Sequence, residues 1–442
     1  DLLPQIVRRS LVTGLELARA SLTPRLAEES AAPSLPSQLR RSGSEKRRAR
    51  ASADPACTLQ FPLSDGILRR LSAVEPRRNV VPAVLIADPG TAGLRVIALT
   101  LLDRLLVAAH RGGCHPITVV ASGPLPDLRR TRALGIMFDV APQVPALAPG
   151  TLVANTRQLV LAGDIRQTAT HGGRLVARDG TQLDLGRVDS CPADESDPWK
   201  SLAPMRAIGV ARSIHNESSA IAAGEALWAS LSSSSDGMVD RHFNRPVGRW
   251  LLSRWLVHTP ITPNQVSVGA TLLGVLAGVL FGLGSLPMSI LAAVLFQISA
   301  IIDCVDGDVA RAVFKESPLG KWLDIVGDQV VHASVFIGIA VGLWRGSPAA
   351  PFLWLGGSAV LGGLIAFVVV LRGMRRPGGA DGRLQRLIDG ATNRDFSVLV
   401  LILAIVDRLG WFLWLAAIGS HLFWVLALAL QWRPAPKAAS GK

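Results

Sequence analysis

Apolar and polar positions along the chain change their rhythm twice. From Thr58 to about Ser230, short apolar runs alternate with amphipathic ones. VVPAVLIAD (Val80 to Asp88) reads as a buried strand running into a Pro-Gly turn, and LTLLDRLLVAAHRGG (Leu99 to Gly113) as an amphipathic helix stopped by glycines. PITVVAS (Pro116 to Ser122) and QLVLAGD (Gln158 to Asp164) read as further strands. Strand, helix, strand in this order predicts an α/β domain with a parallel sheet and ligands at its carboxyl edge. A serine run at 232–235 then marks a linker, and Asp236 to Ser267 mixes basic and Trp residues. Arg249, Trp250, Arg254 and Trp255 suit a helix lying in a membrane interface.

Beyond this the apolar runs approach the roughly 20 residues that cross a bilayer as a helix. About six spans are expected: Val266 to Gly284, Met288 to Val313, Gly320 to Trp344, Phe352 to Leu371, Phe396 to Val406 and Trp411 to Gln431. The predicted fold class is therefore an α/β soluble domain followed by an all-α integral-membrane bundle. The expected divisions are a basic flexible leader (1–55), the α/β domain (56–231), a linker with the interfacial helix (232–262), the membrane domain (263–432) and a basic tail (433–442). Gly274, Gly278 and Gly282 recur every four residues in the first span, predicting close packing on a neighbouring helix, with homodimer formation as the other option.

The formal net charge of +13 would fit nucleic acid, but much of the Arg excess flanks apolar spans. Positive-inside topology and anionic headgroups account for it without a nucleic-acid partner. Arg311, Lys315, Lys321, Arg372, Arg375, Arg376, Arg383, Arg386, Arg394, Arg433, Lys437 and Lys442 fall on one side, and only Arg345 and Arg408 on the other. The first side is expected to be cytoplasmic, with both termini and the α/β domain on it, and the protein to be multi-pass in the inner (cytoplasmic) membrane. Trp344, Trp354, Trp411 and Trp432 sit near span ends as an aromatic belt would. Cys57, Cys114, Cys191 and Cys304 show neither CxxC nor ligand spacing, so a reduced compartment is expected. Charges interrupt any apolar core in residues 1–20, which argues against a signal peptide; the chain opens on Asp1 rather than Met, leaving its true start open.

The chemistry concentrates in DCVDGDVARAVFKESPLGKWLDIVGD (Asp303 to Asp328). Asp303, Asp306, Gly307, Ala310 and Arg311 recur at steps of three and four, giving one helix face two carboxylates and a guanidinium. Asp324 and Asp328, four apart, share a face of the next helix. Two helices joined by a short turn can aim four carboxylates at one point. In an apolar setting such a group needs a hard divalent cation, Mg²⁺ or Mn²⁺, and those ions bind diphosphates. His332, one turn past Asp328, could orient that carboxylate or be satisfied inside the bundle.

The spacing DxxDGxxAR, then eight residues, then GxxxDxxxD resembles the signature of the CDP-alcohol phosphotransferases, with every fixed position present. The resemblance implies a metal-dependent transferase that moves a substituted phosphate from a CDP-alcohol (CDP-diacylglycerol or a CDP-polyol) to an alcohol or polyol-phosphate acceptor and releases CMP, in phospholipid or polyol-phosphodiester synthesis. It assigns Asp303, Asp306, Asp324 and Asp328 to metal, with Asp328 the candidate general base. It assigns Thr262, Pro263, Asn264, Gly307, Ala310, Arg311 and Ser317 to the CDP moiety, and Lys321 and Arg394 to an acceptor phosphate. Thr262, Pro263 and Ser317 also read as ordinary helix caps.

Residues 58–230 resemble a sugar-phosphate nucleotidyltransferase domain of the kind that makes CDP-inositol, as in inositol-1-phosphate cytidylyltransferase/di-myo-inositol-phosphate phosphate synthase fusions. Its phosphate loop is ADPGTAGLR (Ala87 to Arg95), which keeps Gly90, Gly93 and Arg95 but gains Asp88 and Pro89. No lysine lies between Ala51 and Trp199, and Asp164 falls where that family holds a catalytic metal. A phosphate loop without its cation and with an added carboxylate binds its anion poorly, so the domain reads as degenerate. A bifunctional enzyme that also makes the CDP-polyol from CTP is the alternative. A transporter with ion-binding aspartates is the reading from another class, although no inverted repeat is visible.

Overall fold

The computed structural model describes residues 81–188, 198–232, 236–374 and 396–432. The chain divides into two compact units, Asp1–Val74 and Glu75–Lys442, and every described residue belongs to the second. The basic leader, the tail and Arg375, Arg376, Arg383, Arg386 and Arg394 lie outside the described residues.

The α/β part is built on a seven-stranded sheet. Its strands are β1 (Val81–Ile86), β2 (Cys114–Val120), β3 (Asp139–Ala141), β4 (Thr151–Asn155), β5 (Gly173–Val176), β6 (Gln182–Val188) and β7 (Pro204–Arg206), in the order β7-β5-β6-β4-β1-β2-β3. The stretch β4-β1-β2-β3 is parallel, as expected. β6, however, runs antiparallel to both β4 and β5, so the sheet is mixed rather than parallel throughout. A wholly parallel sheet needs a crossover for each strand, but β5 and β6 are joined by a tight turn in which Gly180 takes a left-handed φ of 89°. Helix α1 (Leu101–Gly112) covers β1 and β2; Thr100 caps its start and Gly113, at φ 93°, ends it. Helices α2 (Arg129–Ala133), α3 (Ala162–His171) and α4 (Glu217–Ser230) complete this part.

The expected strand Gln158 to Asp164 is corrected. Only Gln158–Leu159 pairs, with Arg212–Ser213, and α3 has begun by Ala162. The buried strand is TLVAN, a few residues earlier, where all five side chains are buried. Thr156 and Arg157 interrupt the long apolar stretch, and the chain spends its strand before that break.

A helical run at residues 240–256, alternating π-type and α-type turns, leads to the membrane region. There follow α5 (Pro263–Phe281), α6 (Leu286–Ala312), α7 (Pro318–Gly346), α8 (Phe352–Met374), α9 (Phe396–Ile405) and α10 (Leu409–Trp432). Among the described residues, five of these are long and apolar enough to cross a membrane; α9 has 10 described residues, so five of the six expected spans are found, with one shorter apolar helix at the place of the fifth. Trp354 and Trp411 are exposed at helix ends, as interfacial anchors are.

The glycine repeat works as the packing rule predicts. A Cβ on Gly278 of α5 would lie 2.6 Å from the Ser334 carbonyl oxygen of α7, and one on Gly338 would lie 1.9 Å from the Gly278 carbonyl oxygen. Backbone therefore meets backbone across α5 and α7, and α6 packs on the same helix. That trio fixes the two aspartate helices against a common partner.

Candidate active site

Each helix end at the site is set by local chemistry. Thr262 and Gln265 make a reciprocal capping box at the start of α5, with Pro263 in its first turn. Ser317 accepts from the Gly320 N–H at 2.9 Å and Pro318 opens α7. Thr262 and Ser317 thus serve as caps, and neither Thr262, Pro263, Asn264, Ala310, Ser317 nor Lys321 lines the cavity described below. Asn264 is nevertheless close: a Cβ on Gly320 would lie 2.7 Å from its Oδ1, so this glycine lets the start of α5 approach α7.

The aspartates meet as the spacing requires, with one difference. One carboxylate oxygen each from Asp303, Asp324 and Asp328 lies within 4.8 Å of the others. Three carboxylates from two antiparallel helices, all partly buried, supply only hard oxygen donors, which suits Mg²⁺, Mn²⁺ or Ca²⁺ over softer ions. Asp306 is the exception. It is buried and accepts a hydrogen bond from the Ser267 hydroxyl of α5, so it faces the α5 side of the group rather than joining the three.

The trio forms one end of a cavity of about 740 Å³. Asp306, Gly307 and Arg311 line the same end, and a Cβ on Gly307 would lie 3.3 Å from the Arg311 guanidinium. Glycine there leaves the guanidinium lying over the helix backbone. The far end is apolar: Phe336, Phe367, Leu399, Phe412 and Phe423 line it, from four helices. His332 stands between, its ring 5.0 Å from that of Phe396.

Two groups of residues escaped the spacing argument. Asp236 and Asp240, from the run before the first span, also line the polar end. Asp308 is 1 % exposed and pairs with Arg245 (2.5 Å), Arg249 (2.6 Å) and Arg311 (3.0 Å), while Arg245 also pairs with Asp236 (2.6 Å). The signal that could have found this run is its own four-residue repeat. Asp240, Asn244 and Gly248 share a face; Asn244 accepts from Gln297 of α6, and Gly248 lies against the Ile301 carbonyl.

In the α/β part the loop Ala87 to Arg95, expected to hold phosphate, is tied to the segment at 156–157. Asp88 accepts from Arg157 Nε at 2.9 Å and from Thr91, and its backbone N–H donates to Thr156. The hydrogen bond from Arg157 holds the Asp88 carboxyl below its ordinary value. Asp164 is 1 % exposed, in the first turn of α3, and its Oδ1 accepts the Ile208 and Gly209 N–H groups at 2.7 and 3.0 Å. It anchors a loop, and no cluster of potential metal ligands includes it among the described residues.

Residues 260–432 match the sequence profile of the CDP-alcohol phosphatidyltransferases. This stretch belongs to the CDP-alcohol phosphatidyltransferase family. A bifunctional IPC transferase and DIPP synthase of Thermococcus kodakarensis is 42% identical over 99 residues, which cover 22% of this chain and 22% of that protein. A relative of the same name from Rubrobacter xylanophilus is 35% identical over 176 residues, 40% of this chain and 37% of its own. The chain thus spans well under half the length of these curated relatives. A crystal structure of Mycobacterium tuberculosis phosphatidylinositol phosphate synthase with CDP-DAG bound superposes with a TM-score of 0.31 at 22% identity, over 43% of this chain and 94% of that one. The profile match over residues 260–432 and the five long apolar helices among the described residues support an integral membrane protein.

Proposed function

We propose that the protein transfers a substituted phosphate from a CDP-alcohol to an acceptor hydroxyl, releasing CMP, at the cavity end formed by Asp303, Asp324 and Asp328. The observation that carries this is the approach of those three carboxylates to within 4.8 Å at the head of a cavity whose other end is apolar. The trio would hold a divalent cation, Mg²⁺ or Mn²⁺, which when bound offsets charge on the diphosphate. Arg311, over the Gly307 backbone, offers its fork of donors to phosphate oxygens. Asp308 keeps it there through their 3.0 Å contact. Asp328 accepts the proton of the acceptor hydroxyl. The hydroxyl oxygen bonds to the phosphorus that bears the alcohol, the bond from that phosphorus to the CMP oxygen breaks, and CMP leaves with the electron pair.

The apolar end favours a donor carrying a lipid alcohol over a soluble CDP-polyol, because phenylalanines and leucines recognise hydrocarbon and offer polyols no hydrogen bond. The acceptor approaches from the polar side, where Lys321 and Arg394 are the candidate contacts for an acceptor phosphate. Positive-inside charge puts this side and the α/β domain in the cytoplasm. The test uses purified protein, Mg²⁺ and inositol phosphate or glycerol phosphate as acceptor, with CDP-diacylglycerol in one arm and CDP-inositol in the other. CMP and a phosphodiester product in the lipid arm support the reading; turnover confined to CDP-inositol reverses the donor assignment, and no CMP in either arm refutes the activity.

A second activity, cytidylyl transfer from CTP by the α/β domain, is opposed by two local features. Asp88 sits in the phosphate loop bound to Arg157, and Asp164 is committed to the 208–209 loop. CDP-inositol formed by the full chain from CTP and inositol phosphate would restore that reading.

A further inference from the structure

The turn that joins the two aspartate helices is gripped by the α/β domain. Arg104 and Arg111 on α1 and Arg130 on α2 all reach it. Arg104 Nη2 donates to the Ala312 carbonyl at 2.8 Å, and Arg111 Nη2 donates to the Phe314 carbonyl at 3.0 Å. Arg130 donates to that same Phe314 oxygen through both Nε (3.1 Å) and Nη2, and Arg111 also pairs with Glu316 at 2.8 Å. The Phe314 ring lies beneath two of these guanidiniums, its centroid 4.9 Å from Arg111 and 5.7 Å from Arg104.

Phe314 itself has a φ of 58°, left-handed backbone that a bulky residue keeps only when its surroundings impose it. Here the imposition is visible: three guanidiniums on the carbonyls of Ala312 and Phe314, and an aromatic ring under two of them. An apolar seam extends the grip along α6, where Ala98, Leu99 and Trp228 pack with Val305, Val309 and Val313. The segment so held is the one that carries Asp306 and Arg311. Nor is the arrangement an easy one to form. Burial lowers Arg104 to about 10, and burial followed by the nearby Arg111 lowers Arg130. Lys315 is lowered by burial and then by Arg130 and Arg129. Crowding these cations on one turn costs electrostatic energy that simple docking of two domains does not require.

We infer that the α/β domain is a brace for the aspartate site. In it Arg111 and Arg130 are positioning residues that hold α6 and α7 at the separation where Asp303 meets Asp324 and Asp328. This rests on the reading of those aspartates as cation ligands, and it gives the domain a role that needs no nucleotide chemistry. Asp303 lies on one side of the turn and its partners on the other, so a shift of the turn changes the distances among the three.

The full chain, purified in detergent without substrate, is titrated with Mn²⁺ and free ion is followed by electron paramagnetic resonance. Asp324→Asn tests the cation reading, and Arg111→Ala/Arg130→Ala tests the brace. Removing groups that orient metal ligands typically weakens metal binding by about 10–100-fold, and a loss at the lower end of that range is expected of the double substitution. Arg130→Lys, which keeps one donor for the Phe314 carbonyl, should fall between it and the wild type, and it serves if the double variant does not fold. Wild-type affinity in Asp324→Asn would refute the cation reading. Loss in Asp324→Asn together with wild-type affinity in the arginine variants would overturn the brace alone, whatever their melting temperatures.

Discussion

Asp306 and Asp308 stand two residues apart and face different partners. Asp306 takes the Ser267 hydroxyl at the cavity, whereas Asp308 is buried among Arg245, Arg249 and Arg311. Removing one member of a buried ionic group leaves the other charges uncompensated, at a cost of about 3–5 kcal/mol. Asp308→Ala should therefore lower the melting temperature of the detergent-purified protein more than Ser267→Ala does; equal melting temperatures would contradict the ion-pair account. The pair Asp88–Arg157 is a milder case, because Arg157 is half exposed. The Asp88 carboxyl is held low, so the pair stabilises above the unfolded value of 3.8 and is lost as pH falls through the folded one. Asp88→Asn should cost under about 1 kcal/mol at pH 7, and in denaturant melts the difference from wild type should shrink as pH falls below the unfolded value of 3.8. Spacing along the sequence revealed Asp303, Asp324 and Asp328 because helical periodicity is local. It did not reveal Asp308, which occupies a variable position of the motif and meets Arg245 from 63 residues away, and only the four-residue repeat of Asp240, Asn244 and Gly248 hinted that the run before the first span reaches the cavity.

At the scale of elements, the membrane helices were legible from hydropathy and the glycine repeat from its period. The repeat's partner was not, since Gly338 lies on another helix and only folding brings it within reach of Gly278. Overpacking a tight contact costs about 1–3 kcal/mol or more. Gly338→Val should accordingly reduce yield and melting temperature, while Gly357→Ala on α8, where a Cβ meets nothing within 4 Å, should leave both near wild type. Equal behaviour of the two would remove backbone contact as the reason α5 and α7 pack so closely. The sheet was harder to read. The alternation of strands and helices predicts parallel pairing, but the antiparallel β6 follows a short turn whose geometry depends on Gly180. TLVANTRQLVLAGD contains two candidate strands, and the choice between them was made by burial against β1 rather than by local propensity.

At the scale of the molecule, the α/β domain and the bundle of apolar helices fall in one compact unit, and among the described residues several hydrogen bonds bind them at residues 312–316. Sequence alone separated the two parts and identified the second; their contact was invisible because the arginines that make it are about 200 residues from the turn. Transfer at this site depends on a cation held between α6 and α7. Crystals of the protein soaked in Mn²⁺ and measured at the manganese absorption edge test this directly. Anomalous density is expected between Asp303, Asp324 and Asp328, at about 2.0–2.3 Å from their oxygens as hard divalent ions require. Density at Asp236 and Asp240 instead, or none near the trio at saturating Mn²⁺, would contradict it.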